Sequence, residues 1–359
     1  MIAGARVLIV ANARYPIREP FAGGLEAWTW ALVRGLRRRG ADVTIFAGAG
    51  SDPGLAAAEV PIAPFEISQI ARTDVSMPPE AWMREHHAYL QAMLFVLRST
   101  GRFDVVHNSS LHYLPIALVD AIPTPMVTTL HTPPTPWLES AIALQRSGLT
   151  LVAVSEHTAA SWAHVAKPDV IRNGIDLASW RFGPGGDALV WSGRIVPEKA
   201  PHLAASIAKK AGFDLRIAGP VGDPHYFRTV IQPLLGRQIE YVGHLAHPEL
   251  ANLIGHSAAT LVTPTWDEPY GLVVAESLAC GTPVCAFARG GIPEILSDDC
   301  ARAVTPGDTT SAARALADVV ALDRNAARRR AEQHCSIERM LDGYGDLYAR
   351  LMADNGSAA

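Results

Sequence analysis

Residues 268–294 read Glu268-Pro-Tyr-Gly271-Leu-Val-Val-Ala-Glu276-Ser-Leu-Ala-Cys280-Gly281-Thr-Pro283-Val-Cys-Ala-Phe287-Ala-Arg-Gly290-Gly-Ile-Pro-Glu294. The segment 271–280 is almost wholly apolar, Gly281 stops it as a helix, and 283–287 resumes as a short buried strand. This is one turn of an α/β winding, and it carries two carboxylates eight residues apart. Glu276 falls on a helix that is otherwise buried, where an ionised carboxylate is costly unless paired or hydrogen-bonded. Glu268 falls just before that helix, whose free backbone N–H groups favour an anion. The pair can hold the hydroxyls of a sugar nucleotide while the helix N-terminus takes its phosphates. Glu276 alone is equally well read as half of a buried salt bridge.

Working outward, strand and helix patterns alternate along the whole chain. Strands are expected at 6–11, 42–47, 105–107, 126–130 and 149–154, with a Gly23-Gly24 loop and a helix to Arg39 after the first. The breaker cluster 182–187 is the best linker. Beyond it the alternation restarts at 188–191, 215–218, 239–242, 260–262, 284–287 and 301–304. The segment 337–352 has apolar residues at helical spacing. The expected fold is α/β, with two doubly wound Rossmann-like domains, 1–180 and 187–335, facing a cleft, and a final helix over 336–353. Ligands in such sheets bind outside the carboxyl ends of the strands.

Composition agrees with a globular chain of about two domains: 359 residues, 49% hydrophobic and 18% charged. A net charge of −4 makes no whole-chain case for nucleic acid as a partner. No apolar run approaches the roughly 20 residues of a membrane span, and the first ten residues are too short for a secretory signal. Cys280, Cys285, Cys300 and Cys335 show no metal-type spacing and read as reduced packing residues, so the expected location is cytoplasmic.

The remaining motifs follow expected strands. Arg194 and Lys199, in Ser192-Gly-Arg-Ile-Val-Pro-Glu-Lys199, put two cations at a strand end, as a diphosphate leaving group requires. Alone, they are a solvated pair on a loop. Gly23-Gly24 can bring backbone N–H groups to a phosphate or sugar; alone, it is a turn. His131 follows the strand at 126–130 and is either beside a reacting sugar or a hydrogen-bonded structural residue.

Taken in order, the chain resembles the retaining glycosyltransferases of family 4. The resemblance runs through Gly23-Gly24-x-Glu26, Val106-His107, His131-Thr132, Ser155-Glu156, Asn173-Gly174-Ile175-Asp176, Ser192-Gly193-Arg194, Glu198-Lys199, Ile217-Ala218-Gly219 and the block from Glu268 to Glu294. It implies the two-domain GT-B fold, with the first domain taking the acceptor, the second the nucleotide-sugar donor, and the C-terminal helix crossing back to the first. It implies donor contacts at Gly24, Arg194, Lys199, Glu268, Tyr270, Gly271, Leu272 and Glu276. Glu268 would meet the sugar hydroxyls, Glu276 the ribose, and Arg194 and Lys199 the diphosphate. His131, Glu268, Arg194 and Lys199 would serve catalysis, and Gly23 would approach the acceptor. Ala200 and Tyr270 depart from the family, which often has Gly and Phe there.

The implied activity is metal-independent transfer of a hexosyl unit, with a UDP-sugar the first choice of donor, to a hydroxyl on a glycan, a lipid-linked sugar or a small molecule. No cofactor beyond the donor substrate is implied. A sugar-nucleotide epimerase or phosphorylase on a related fold is the alternative. No Gly-x-Gly-x-x-Gly follows the first strand, no P-loop occurs, and Asp-x-Asp is absent, so dehydrogenase, NTPase and metal-bridged readings lack their motifs. Acceptor contacts are sought among Trp28, Trp30, Trp82, His112, Tyr113 and above all Trp137, in Thr-Pro-Pro-Thr-Pro-Trp, whereas Trp28, Trp30 and Trp82 read equally as anchors of their helices. Arg34, Arg37, Arg38 and Arg39 could draw the first domain to an anionic membrane face, or be a solvated helix end.

Overall fold

Short runs of β-branched and aliphatic residues, too brief for helices, pair into two parallel sheets in the computed structural model, which describes residues 2–60, 65–145 and 149–358. The first sheet contains β1 (Arg6–Val10), β2 (Asp42–Phe46), β3 (Glu59–Val60), β4 (Val105–Asn108), β5 (Met126–Leu130), β6 (Thr150–Ala153) and β7 (Asp169–Val170). Its order is β3-β2-β1-β4-β5-β6-β7. The second contains β8 (Leu189–Ser192), β9 (Leu215–Ala218), β10 (Ile239–Gly243), β11 (Thr260–Val262), β12 (Val284–Phe287) and β13 (Ala301–Val304), ordered β10-β9-β8-β11-β12-β13. The edge strands β3 and β7 are two residues each, too short to leave a sequence pattern.

Both sheets wind the same way, so each has a switch point where successive crossovers turn to opposite sides. In the first it lies between β1 and β4, in register Leu8 to Val106; in the second between β8 and β11, in register Val190 to Thr260. A crevice opens at such a point beyond the carboxyl ends of the strands. The fold is therefore the doubly wound pair with two facing crevices that the sequence predicts.

The helix Ile337–Ala358, longer than expected, packs Met340, Leu341, Tyr344, Leu347 and Tyr348 into the core of the first half beside Trp28, Leu32 and Leu36. Polar pairs fix its position: His107 Nδ1 meets the Tyr348 hydroxyl at 2.5 Å, and Thr129 meets the Tyr344 hydroxyl at 2.9 Å. Val106-His107 thus tethers the returning helix.

The breaker segment 182–187 does not hang free as a linker. Gly183 N–H donates to Cys280 and Gly185 N–H to Gly255, while Arg324 donates to the Gly183 and Gly255 carbonyls. The chain passes between the halves earlier, at Asn173-Gly174-Ile175, and returns beside that point. Ile175 N–H donates to Cys335 O at 2.8 Å, and Ile337 N–H to Ile175 O at 3.0 Å. A Cβ on Gly174 would stand 2.5 Å from the Ile337 Cα, so only glycine lets the two passages touch.

Each arginine of the cluster at the end of the helix Gly24–Arg38 has a partner within the protein. Arg37 donates to the Val43 and Gly54 carbonyls, Arg38 and Arg39 pair with Glu338, Arg39 also pairs with Asp342, and Arg34 lies over the Trp30 ring. No helix among the described residues is long and apolar enough to cross a membrane.

Candidate active site between the two switch points

The facing crevices form one cleft of about 340 Å³. It is lined by Gly23, Gly24, His131, Arg194, Lys199, Glu268, Tyr270, Gly271, Leu272 and Glu276, so the structure gathers ten of the eleven predicted site residues. Trp137 is the exception. It lies outside the cleft lining and is 60% exposed.

Each charged group is set by the strand it follows. Arg194 comes directly after β8, and Lys199 ends the loop that leads to the helix Pro201–Ala211. The β11 loop is tied to that one, because Thr265 N–H donates to Glu198 O at 2.8 Å and the Thr263 hydroxyl to Ala200 O at 3.0 Å. That stitching brings the Lys199 ammonium onto Glu268, which also accepts from the Trp266 indole N–H at 3.0 Å. Lys199 lies over the Trp266 ring. Ala200 sits at φ +50°, a left-handed conformation that glycine adopts freely, which accounts physically for glycine at this point in the family.

Glu276, on the helix Leu272–Ala279, is buried, and none of the described hydrogen bonds or ion pairs reaches its carboxyl. Burial pushes that carboxyl up to about 8. Neither the salt bridge nor the backbone bond that would make it merely structural is present. Tyr270 lines the cleft and is buried, which pushes its hydroxyl well above the ordinary phenol value.

From the first half, the half-buried His131 stands edge-on against Trp28, 4.5 Å between ring centres, and desolvation pushes its imidazole down to about 3. It is neutral at physiological pH, and its Nε2 has no partner. Asn173 Oδ1 and Ser192 Oγ are likewise buried and unpartnered, and both line the cleft. Buried polar atoms normally have hydrogen-bond partners, so three orphans on one cleft mark where a polar ligand supplies them. Glu26, in the first turn of its helix, accepts from Asn12 at 3.2 Å, and burial raises its carboxyl above the usual range.

Gly24 touches the second half: a Cβ there would meet Leu272 Cδ1 at 3.0 Å. The halves also meet where the Ser155 and Thr158 hydroxyls donate to Pro269 O, next to Glu268, at 2.5 and 3.0 Å. The Glu294 carboxylate accepts from Glu156 and His157 N–H at 3.1 and 2.8 Å, capping the helix Glu156–Ser161 across the interface. His244 and His247 hold the loop at Glu19 and Phe21. Among the described residues no three His, Cys, Asp or Glu side chains gather as a metal set.

Asn12, Trp266, Ser192 and Asn173 are the site residues that carry no predicted role. Asn12 and Ser192 end or follow strands at the switch points, which is the one cue the sequence holds for them.

The family model "Glycosyltransferase Family 4" matches residues 22–179, and "Glycosyl transferases group 1" matches 177–334. The D-inositol 3-phosphate glycosyltransferase of Mycolicibacterium vanbaalenii is 29% identical, over 96% of this chain and 90% of that protein. The glycogen synthase of Mycobacterium tuberculosis is 31% identical, over 68% of this chain and 67% of that protein. Among solved structures, Anabaena Alr3699/HepE in complex with UDP and glucose superposes with a TM-score of 0.74 at 17% identity, covering 96% of this chain and all of that one. AviGT4, a glycosyltransferase involved in avilamycin A biosynthesis, gives 0.69 at 22% identity over 97% and 98% of the two chains. The epimerase or phosphorylase alternative finds no counterpart in these names.

Proposed function

Since this chain belongs to glycosyltransferase family 4 and is a glycosyltransferase, we propose that it is a retaining, metal-independent hexosyltransferase that uses a UDP-sugar. The observation that carries the donor assignment is Glu276: a buried, unpartnered carboxyl on the same cleft as two cations, Arg194 and Lys199. A nucleoside diphosphate answers both at once. Its ribose hydroxyls donate to Glu276, and its diphosphate meets the cations and the N-terminus of the helix Leu272–Ala279. Anabaena HepE, similar in fold, was solved with UDP-glucose, which supports uracil as the base.

In this reading Glu268 holds sugar hydroxyls, its carboxylate oriented by Lys199 and the Trp266 indole. His131 offers its free Nε2 to the same sugar. The acceptor oxygen attacks the anomeric carbon on the face from which the diphosphate leaves. The bond from that carbon to the phosphate oxygen breaks, and the acceptor proton passes to the leaving oxygen. Arg194 and Lys199 stabilise the charge that develops there, a contribution of several kcal/mol, to order of magnitude. The first half supplies the acceptor, with Gly23 and Trp137 on its side. No metal or further cofactor is required.

Mixing the full chain with UDP-glucose, UDP-N-acetylglucosamine, GDP-mannose and ADP-glucose tests this. Slow release of UDP from a UDP-sugar, persisting in EDTA, is the expected result. Release of another nucleotide alone, or loss in EDTA that magnesium or manganese restores, overturns the donor or metal assignment respectively.

A further inference from the structure

The first half has two features, one beside the cleft and one on its lining, that together select a chemical class. The first is a bank of aromatic rings brought together from separate elements. Tyr113 stacks on Trp137 with centroids 5.4 Å apart and planes at 25°, and His112 stacks on Tyr113 at 4.8 Å. Trp82 closes the group, 6.4 Å from Trp137 and tilted by 41°, with His86 stacked beneath it at 5.0 Å. His112 is held by Leu114 N–H donating to its Nδ1, and burial pushes it down to about 4, so it is neutral. His86 Nδ1 is buried without a partner.

The bank adjoins the cleft through neighbouring residues, although none of its rings is part of the lining. Leu111, one residue before His112, lines the cleft. So does Arg14, whose partner Glu85 precedes His86 on the helix Glu80–Arg98.

The second feature is charge. Among the described residues lining the cleft from the first half, Arg14 is the one Arg or Lys, and it faces Glu85 at 3.7 Å. Glu26 lies on the same wall. Near Trp82, Arg72 and Arg84 both pair with Glu80. A phosphorylated acceptor needs unpaired cations or forked guanidinium contacts, and an anionic lipid surface needs a basic patch. Neither is here. What remains is a set of rigid amphipathic ring faces with the neutral His112 imidazole beside them, the arrangement that matches the C–H face and hydroxyl rim of a pyranose.

We propose that Trp137, Tyr113 and Trp82 form the acceptor subsite and that the acceptor is an uncharged glycan whose sugar faces lie on these rings. The acceptor therefore differs in charge from the inositol 3-phosphate in the name of the mycobacterial relatives. This inference rests on the transferase reading above.

The test places the labelled full chain on an array of neutral and phosphorylated oligosaccharides, with D-inositol 3-phosphate and phosphatidylglycerol vesicles measured in parallel. At least one neutral glycan should bind. Trp137→Ala should weaken that binding, and raise the acceptor KM more than it lowers kcat, by about tenfold, while Trp137→Phe restores most of it. Trp137 is exposed, so its loss does not threaten the fold. Binding of no neutral glycan, preference for inositol 3-phosphate, Trp137-dependent flotation with vesicles, or indifference to Trp137→Ala would each overturn the proposal. Acceptor-free release of UDP by the unaltered chain is read separately. If it fails with every nucleotide sugar, the donor reading falls; if it persists while the array result fails, only the acceptor inference does.

Discussion

The two walls of the cleft are built on the same sheet order but from opposite materials. The second half presents Arg194, Lys199 and Glu268 on loops stitched to each other by hydrogen bonds, and the buried Glu276 carboxyl on the helix Leu272–Ala279. The first half presents neutral His131 against Trp28, with a glycine pair and a ring bank beside them. In the proposed reading one wall recognises by fixed charge and the other by shape. A diphosphate is the same in every donor, so fixed charge suits it; an acceptor surface must fit one molecule, and apolar ring faces impose geometry without demanding a counter-charge.

This contrast can be broken at the charged wall first, where the largest effects belong. Arg194→Ala or Lys199→Ala should cut the rate of transfer at saturating donor by about 10²–10³-fold. His131→Ala should cost about tenfold. Equal losses on both walls in steady-state kinetics would erase the distinction.

Within the charged wall the two carboxylates should separate. Glu276→Ala should weaken UDP binding, measured by calorimetry above pH 8 where the carboxyl is ionised, by about 1.5–3 kcal/mol, because the ribose loses a charged acceptor. Glu268→Ala should leave UDP affinity close to that of the unaltered chain and suppress transfer. Matching losses of affinity would contradict the division of roles.

A smaller effect sharpens the picture of Glu276 in the free protein. Its folded pKa, about 8, stands above the ordinary 4.5, so the folded chain holds the proton more tightly than the unfolded one. The stability that goes with this proton is fully present below the ordinary value and is lost as pH rises through about 8. Melting temperature should therefore fall over that window and fall less in Glu276→Gln; each kcal/mol shifts Tm by roughly 2–4 °C or less in a chain of this size. Parallel curves for the two proteins would mean the carboxyl is paired in solution.

The smallest effect tests the backbone beside Lys199. Ala200→Gly should stabilise the protein by about 1 kcal/mol in urea unfolding, since glycine relieves the left-handed strain at φ +50°. Destabilisation would show that packing of the Ala200 methyl outweighs that strain.

How much of this was legible in the sequence follows from how far apart the causes lie. The charged wall was legible because lone carboxylates in an apolar run, and cations after strands, stand out locally. Glu294 was quoted without a role, since the amides it caps are 137 and 138 residues away. The ring bank was legible as a set of aromatics but not as one surface, because its members come from three separate stretches. Phe182-Gly-Pro-Gly-Gly-Asp187 misled for another reason. A glycine-rich run reads the same whether it is free or pressed against backbone, and Gly183 is pressed: a Cβ there would fall 2.3 Å from Gly255 O. The partners of two arginines on the first helix were hidden likewise, as Glu338 and Asp342 reach Arg38 and Arg39 from the far end of the chain.

The paired passages at Gly174–Ile175 and Cys335–Ile337 have a consequence for how such a protein can be inherited. The chain goes out and comes back through one doorway, so everything from about residue 175 to 336 is an insertion whose two ends sit side by side. A donor cassette of this kind can be exchanged whole, by recombination at two neighbouring points in space, without rethreading the acceptor half or unseating its last helix. Gly174 is the hinge-pin of that doorway, and a bulkier residue there would jam the frame in which any replacement cassette has to hang.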